Sequence, residues 1–476
     1  MPATTAHPAT TASVGIIGAG ITGLTAAFQL RRAGIATTVY EAAARPGGVI
    51  CSFREGPWLA EGGPNTILDT SPVIGQLIGE LGLVGRRLDS RPEATARYVV
   101  RDGRPVPLPS SGPKFFVSPL FSWKAKSRLL AEPFIPRAES EESVADFVRR
   151  RLGQEFLDYA IDPLVTGIYA GDPAALSIQH AFPRVYAQED QYGSLIRGQI
   201  FGARERKRRG EVSKANAKKF SFDQGLQVLP DALAQALGQD LHLNCRIDGI
   251  QPTQSGWCLN GRHGDQPLTA EHRVVLFCGT AHTLARLQID VPGAPSLQPL
   301  GSVNYPPVSS VVLGFRRGDV DHPCEGFGML IPHREGFGIL GTIFSSSLFT
   351  GRAPEDHLTL TVYVGGVRNA DKAALPDTEL IDLVRRDLNR LLGVRGAPVY
   401  SHITRWPAAI PQYDVGYGNH KALLDQLESK APGLFIAGHY RDGVALSDSL
   451  GTGTRTAERI VGYLNPKIPT KPQAAP

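Results

Sequence analysis

A three-glycine turn between a strand and a helix constrains this chain more than any other segment. Val14 to Ile17 is a short apolar run that leads directly into Gly18-Ala19-Gly20-Ile21-Thr22-Gly23. Helical spacing follows, with Leu24, Ala27, Phe28 and Leu30 ahead of Gly34. A second apolar run, Thr37 to Tyr40, ends at Glu41. Each part has a physical job in binding a dinucleotide. Gly18 permits the tight turn, Gly20 lets a pyrophosphate approach the backbone, and Gly23 lets helix and strand pack closely. The phosphates rest on free N–H groups at the positive end of the helix, so Gly18, Gly20, Ile21, Thr22 and Gly23 are the expected contacts. Glu41 stands where a carboxylate accepts hydrogen bonds from the adenosine ribose. A glycine-rich turn alone is weak evidence; strand, helix, second strand and acid in register make it specific.

Ala44-Arg45-Pro46-Gly47-Gly48 follows at once. An arginine and paired glycines are not needed here for a nicotinamide dinucleotide. They resemble the second fingerprint of the flavoprotein group that includes the amine oxidases. That likeness implies FAD, with Gly47 and Gly48 passing close to the pyrophosphate and Arg45 helping to neutralise it. Near the other end, Gly433 to Gly438 reads as a strand running into a glycine. Gly443-Val444-Ala445-Leu446-Ser447-Asp448 comes next, then a helical run from Ser449 to Leu464. FAD is long enough to be held by both ends of a chain. The last helix then aims its N-terminus at the flavin pyrimidine, with Asp448 read as its N-cap.

A chain of 476 residues is too long for one simple core, so two or three domains are expected. The net charge of +5 suits anionic ligands or lipid and does not call for nucleic acid, which is not expected as a partner. The five cysteines contain no C-x-x-C pair and no signal peptide is visible, so a reduced compartment is expected. The twelve histidines show no metal-ligand spacing, and no metal is expected. No apolar run reaches the ~18 residues that span a bilayer. Met1 to Ser13 lacks the arginines of a transit peptide and reads as a loose tail.

Trp58 to Thr66 is expected as a loop, Pro72 to Leu83 as a helix closed by Gly85, and Tyr98 to Pro107 as a hairpin about Asp102-Gly103. Helical patterns run from Ser143 to Tyr169. Arg204 to Lys219 is strongly basic and reads as a solvated loop, with contact to acidic lipid as the functional alternative. A loop and a helix occupy Phe220 to Leu237. Strands are expected at Leu241 to Ile250, Gly256 to Gly261 and Arg273 to Phe277. Val308 to Phe315 and Leu358 to Gly365 belong to a second sheet, and Asp377 to Leu392 is an amphipathic helix.

Several blocks resemble the protoporphyrinogen oxidases, above all their plant-like form. They are Glu142-Ser143-Val144, Val165 to Pro173 with its Tyr169-Ala170-Gly171-Asp172-Pro173, Gly341 to Phe349 with Ser345-Ser346-Ser347-Leu348-Phe349, Arg352-Ala353-Pro354, and Arg405 to Tyr413. The likeness runs from about Val14 to Leu464. It implies an α/β fold: a Rossmann-like, amine-oxidase-type FAD domain, a mixed-sheet substrate domain and an inserted helical membrane-binding region. The FAD domain is then split over 14–90, 220–290 and 405–464. Substrate and helical regions occupy 91–219, the substrate domain 291–404, and the tails 1–13 and 465–476 are disordered.

In that family a porphyrinogen loses six electrons in three two-electron steps. FAD takes a hydride at each, and molecular oxygen regenerates it with release of hydrogen peroxide. No protein residue is then expected as a catalytic acid or base, because the flavin carries the chemistry. Arg97 matches the arginine that pairs with a propionate. Leu313, Leu330 and Phe349 match apolar walls of the macrocycle site, and Gly167 the segment at its mouth. Gly63, Pro64, Asn65, Trp406, Gly438, Val444, Ala445 and Leu446 are assigned to the flavin. His439 is a departure, since related sequences often carry a small amide there.

Phe115, Phe116, Val117, Leu120, Phe121 and Trp123 lie beside Lys114, Lys124, Lys126 and Arg128. Aromatics with flanking cations suit a membrane interface, or else an apolar lining of the substrate domain. The expected place is peripheral, on the cytoplasmic face of a bacterial membrane; a homodimer is left open. Three rivals to protoporphyrinogen IX oxidation stay open: coproporphyrinogen III oxidation, an FAD-dependent amine oxidase, and a non-enzymatic FAD-bearing protein.

Overall fold

Short runs of purely apolar residues drive distant parts of the chain into one parallel sheet. Its order is Leu241–His242, Thr37–Tyr40, Val14–Ile17, Val274–Phe277 and Leu434–Ile436, every pair parallel. Val14–Ile17, Val274–Phe277 and Leu434–Ile436 are buried at every position, as strands covered on both faces must be. The helices Ile21–Arg32 and Leu446–Leu464 cover one face. They approach so closely that a Cβ on Gly453 would lie 2.6 Å from the Thr22 carbonyl oxygen. The computed structural model describes residues 14–209 and 217–465. The tails expected at 1–13 and 466–476, and residues 210–216 of the basic segment, lie outside the described residues.

A second, seven-stranded sheet has the order Tyr400–Trp406, Val308–Arg316, His357–Gly365, Ile339–Ile343, Gly328–Leu330, Arg97–Arg101 and Arg104–Pro107. It is mixed: Gly328–Leu330 runs parallel to Arg97–Arg101, and its other neighbours are antiparallel. Strand alternation gives it two different faces. Val311, Leu313, Phe315, Leu358, Leu360 and Val362 pack on Leu380, Val384 and Leu388 of the helix Asp377–Leu392. The opposite face meets the segment Glu61 to Asn65. A smaller sheet sets Lys218–Phe222 between Ile67–Asp69 and Arg87–Asp89.

Helices between Gly112–Val117 and Leu195–Arg209 form an inserted region. It is held by a buried ion network in which Arg151 meets Glu132 and Glu189. No helix among the described residues is long and apolar enough to cross a membrane.

Four local expectations are corrected. The basic segment read as a loop is helical up to Arg209 and enters a strand at Lys218. Trp58–Glu61 is a strand, because it pairs with Ser52–Glu55 across the turn at Gly56. The helix from Pro72 ends at Glu80, where Gly82 takes φ +69°, and not at Gly85. The last helix begins at Leu446 with Ala445 as its N-cap, so Asp448 lies inside its first turn and does not cap it.

Candidate functional site

The turn after Val14–Ile17 has the shape a pyrophosphate requires. Gly18 takes φ +105° and packs on the backbone of Cys278 and Gly279. A Cβ on Gly23 would collide with the Gly18 carbonyl oxygen. Gly20 is different: it is the N-cap of Ile21–Arg32, and a Cβ there would meet nothing within 4 Å. Open space therefore lies over the start of the helix, where Ile21, Thr22 and Gly23 have no preceding turn to accept their N–H groups. Gly47 donates its N–H to the Ala19 carbonyl at 2.8 Å, and a Cβ on Gly48 would lie 3.4 Å from the Gly20 Cα. The two glycine segments predicted from sequence are thus in contact. Arg45 donates to the carbonyls of Pro46, Gly48 and Ile50, and so braces its own loop.

Glu41 ends its strand beside this turn. One carboxylate oxygen accepts the Ala19 N–H at 2.7 Å and the other the Ala43 N–H at 2.8 Å. Each oxygen keeps a lone pair for a ribose hydroxyl. Glu41→Ala should weaken dinucleotide binding by about 1.5–3 kcal/mol, the worth of hydrogen bonds to a charged acceptor. Flavin retention on dilution and dialysis measures this, and unchanged retention would remove Glu41 from the ribose site.

The C-terminal segment reaches the same end of the parallel sheet. Leu434–Ile436 leads to Gly438 at φ +142°, and Val444-Ala445-Leu446 opens the last helix. The loop between is fastened from beneath. Tyr413 donates its hydroxyl to the His439 carbonyl and accepts the Gly443 N–H, while Tyr417 donates to the Tyr440 carbonyl. Three buried polar atoms here, His439 Nε2, the Tyr440 hydroxyl and Ser447 Oγ, have no partner among the described residues. Burial pulls the His439 imidazole down to about 4, so it is neutral at ordinary pH. Open space over Gly20, an unobstructed helix start and unpartnered polar atoms together fit a dinucleotide cofactor.

Register then links this end of the molecule to the second sheet. Directly paired residues share a face, so Trp406, Thr404, Ser310, Tyr363, Gly341, Leu330, Ile343 and Arg97 all belong to the face opposite the helix Asp377–Leu392. At one edge the Trp406 indole donates to the Gly62 carbonyl at 2.8 Å. Beside it Asn65 Nδ2 donates to the Tyr363 hydroxyl at 2.6 Å, and that hydroxyl donates to the Gly63 carbonyl at 3.2 Å. Gly63-Pro64-Asn65 is therefore clamped onto the sheet face. Tyr363 is a candidate site residue that sequence reasoning missed.

Toward the other edge, on the next-to-last strand, stands Arg97. It is half-buried, its guanidinium lies 5.7 Å from the Phe327 ring centre, and burial alone lowers its pKa. Leu330 lies between the two edges, and a Cβ on Gly167 would come 2.6 Å from its Cδ2. Gly167 sits in the last turn of Asp162–Tyr169, whose C-cap Ala170 is left-handed at φ +49°. Leu313 is not brought here: alternation sends it into the core on the opposite face, fully buried. Phe349 is buried and shares a packed cluster with the half-buried Phe327 and Ile343.

Glu61, next to the clamped loop, is buried with Arg352 at 3.6 Å, and accepts from Ser52 Oγ and the Leu226 N–H. Burial pushes its carboxyl from 4.5 up to about 7, against the pull of Arg352. Between those values the folded protein holds a proton that the unfolded chain has released. Stability therefore falls as pH rises through this window. Relative to Glu61→Gln, the wild type should lose up to about 3 kcal/mol from the lower limit to the upper. Thermal unfolding of both proteins against pH measures this difference, and parallel curves would show that Glu61 does not titrate there.

The family described as flavin containing amine oxidoreductase matches residues 21–461. The chain is 36% identical to protoporphyrinogen oxidase 2, chloroplastic/mitochondrial, of Arabidopsis thaliana, over 95% of this chain and 94% of that protein. It is 29% identical to coproporphyrinogen III oxidase of Bacillus subtilis, over 94% of this chain and 98% of that one. In fold it matches a solved protein of Exiguobacterium sp. 255-15, provisionally assigned as a protoporphyrinogen oxidase. The TM-score is 0.77 at 24% identity, covering 94% of this chain and 98% of that chain.

Proposed function

Because this chain belongs to the flavin-containing amine oxidoreductase family, we propose that it oxidises protoporphyrinogen IX to protoporphyrin IX in porphyrin biosynthesis. It is an FAD-dependent oxidoreductase. The observation that carries the choice of substrate is Arg97: a half-buried guanidinium without a carboxylate partner among the described residues, at the edge of a largely apolar sheet face. A flat, mostly apolar ring with carboxylates at one edge matches that surface. An amine would bring a cation to the same place and meet repulsion.

Bound FAD supplies the hydride acceptor, and molecular oxygen is the proposed final oxidant. The protein holds the two reactants in place. The turn Gly18 to Gly23 with Gly47 and Gly48 receives the pyrophosphate, and Glu41 the ribose. Gly63-Pro64-Asn65, Trp406, Gly438 and Val444 to Leu446 enclose the flavin end. Leu330, Ile343 and Phe327 form the macrocycle wall, Gly167 lets the helix Asp162–Tyr169 close against Leu330, and Arg97 fixes orientation. The pairs Leu330–Gly341 and Ser310–Tyr363 carry no carboxylate or imidazole, so no side chain there is given a proton-transfer role. Purified protein in air should convert protoporphyrinogen IX to fluorescent porphyrin and release three hydrogen peroxide molecules per porphyrin. A flavin-loaded protein that gives no porphyrin above spontaneous oxidation would refute the assignment.

The reading includes a peripheral contact with the cytoplasmic face of a membrane. Leu120 and Phe121 of the aromatic segment are core residues. Val117, Trp123, Leu130 and Phe134 remain 70–82% exposed on the inserted helical region, beside the exposed Lys114 and Lys124, whereas Lys126 is buried and its ammonium donates to the Phe116 and Ser118 carbonyls. Exposed apolar and aromatic groups beside cations support an interfacial contact.

A further inference from the structure

Lys219 and Arg97 come from different sheets and meet over one aromatic ring. Lys219 lies in Lys218–Phe222, the central strand of the three-stranded sheet, and Arg97 starts a strand of the seven-stranded sheet. The Lys219 ammonium is 6.0 Å, and the Arg97 guanidinium 5.7 Å, from the centre of Phe327. Both heads are half-buried, and neither has a carboxylate partner among the described residues. The acids on the flanking strands, Asp69 and Asp89, are taken by Arg87 at 2.9 and 2.8 Å. Burial and the nearby Arg97 charge lower the Lys219 pKa, a sign that the two cations repel.

The backbone holds this arrangement in place. The Lys219 carbonyl accepts the Ser90 N–H, the Arg97 carbonyl accepts the Leu108 N–H, and the Phe327 N–H donates to the Ala96 carbonyl. A ring face compensates a cation only weakly. Two like charges kept together away from full solvation call for an anion between them.

We infer that Lys219 is a second anion anchor, which with Arg97 binds the two neighbouring propionates of the tetrapyrrole; this rests on the porphyrinogen reading above. The guanidinium takes one carboxylate through its planar fork, and the ammonium takes the other as a compact point charge. Two cations over one ring select a ligand with two adjacent carboxylates on one edge. A ligand with one carboxylate engages only half of the site.

The test uses the FAD-loaded protein with protoporphyrin IX, its monomethyl esters and its dimethyl ester, followed by porphyrin fluorescence anisotropy. Lys219→Met should weaken diacid binding about tenfold, leave the dimethyl ester unchanged, and have an intermediate effect on the monoesters. Lys219→Arg keeps the charge and should restore diacid binding. An equal effect of Lys219→Met on diacid and dimethyl ester, or no effect on either, overturns the second anchor. Wild-type protein that binds the diacid and the dimethyl ester equally well also overturns it, and leaves the porphyrinogen reading standing. Wild-type protein that binds neither porphyrin refutes that reading, and the second anchor with it.

Discussion

Arg97→Ala should raise KM for protoporphyrinogen by at least about 30-fold and leave kcat nearly unchanged. A charge-assisted pair with a propionate is worth roughly 2–4 kcal/mol when the site is desolvated. Arg97 is only half-buried, so the lower part of that range applies. The propionate lies far from the carbon that loses hydride. It is bound equally in the ground state and the transition state, and its loss therefore appears in KM and not in kcat. Steady-state porphyrin fluorescence separates the two constants. An unaltered KM would show that Arg97 faces no part of the substrate, and a fall in kcat alone would place it near the reacting carbon.

Gly20→Val should give a folded protein with almost no flavin. The structure makes this sharper than the motif alone. No atom lies within 4 Å of where a Cβ on Gly20 would stand, and the extended backbone there, φ −67° and ψ 171°, suits a side chain, so the ligand-free chain has room for the substitution to begin. The isopropyl group would fill the space the pyrophosphate must occupy. Gly23→Val provides the contrast, because its Cβ would run into the Gly18 carbonyl and disrupt the packing of helix on strand. Gly20→Val should therefore keep the wild-type circular dichroism spectrum and lose flavin absorbance, and Gly23→Val should lose both. Full flavin occupancy in Gly20→Val would mean that the pyrophosphate lies elsewhere.

The geometry of the candidate dinucleotide site was legible because its information is local. Gly18, Gly20, Gly23 and Glu41 fall within one βαβ unit, where turn, helix start and strand end each dictate a residue type. The helix Asp377–Leu392 was legible for a similar reason, since its apolar positions recur at helical spacing and nothing else competes. The face proposed for the substrate was legible only in part. Val308–Arg316 is apolar at most positions, so composition does not say which side Leu313 takes. That is decided by register with His357–Gly365, which pairs Leu313 with Leu360 and Ser310 with Tyr363. Tyr363 gains its meaning from Gly63 and Asn65, about three hundred positions earlier in the chain. Lys219 likewise read as one more charge in a basic run until folding set it beside Arg97. Trp58–Glu61 failed for a smaller reason: glycines and a proline follow it, and they mask a strand that only pairing reveals.

The most direct measurement compares two substrates under identical conditions. FAD-loaded protein is given protoporphyrinogen IX and coproporphyrinogen III separately in air, and kcat/KM is read from porphyrin fluorescence. Coproporphyrinogen carries two further carboxylates, which would lie against apolar walls without partners and be strongly penalised. Protoporphyrinogen IX should therefore show the higher kcat/KM. A higher value for coproporphyrinogen III, or no porphyrin above spontaneous oxidation from either, would contradict the function proposed for this chain.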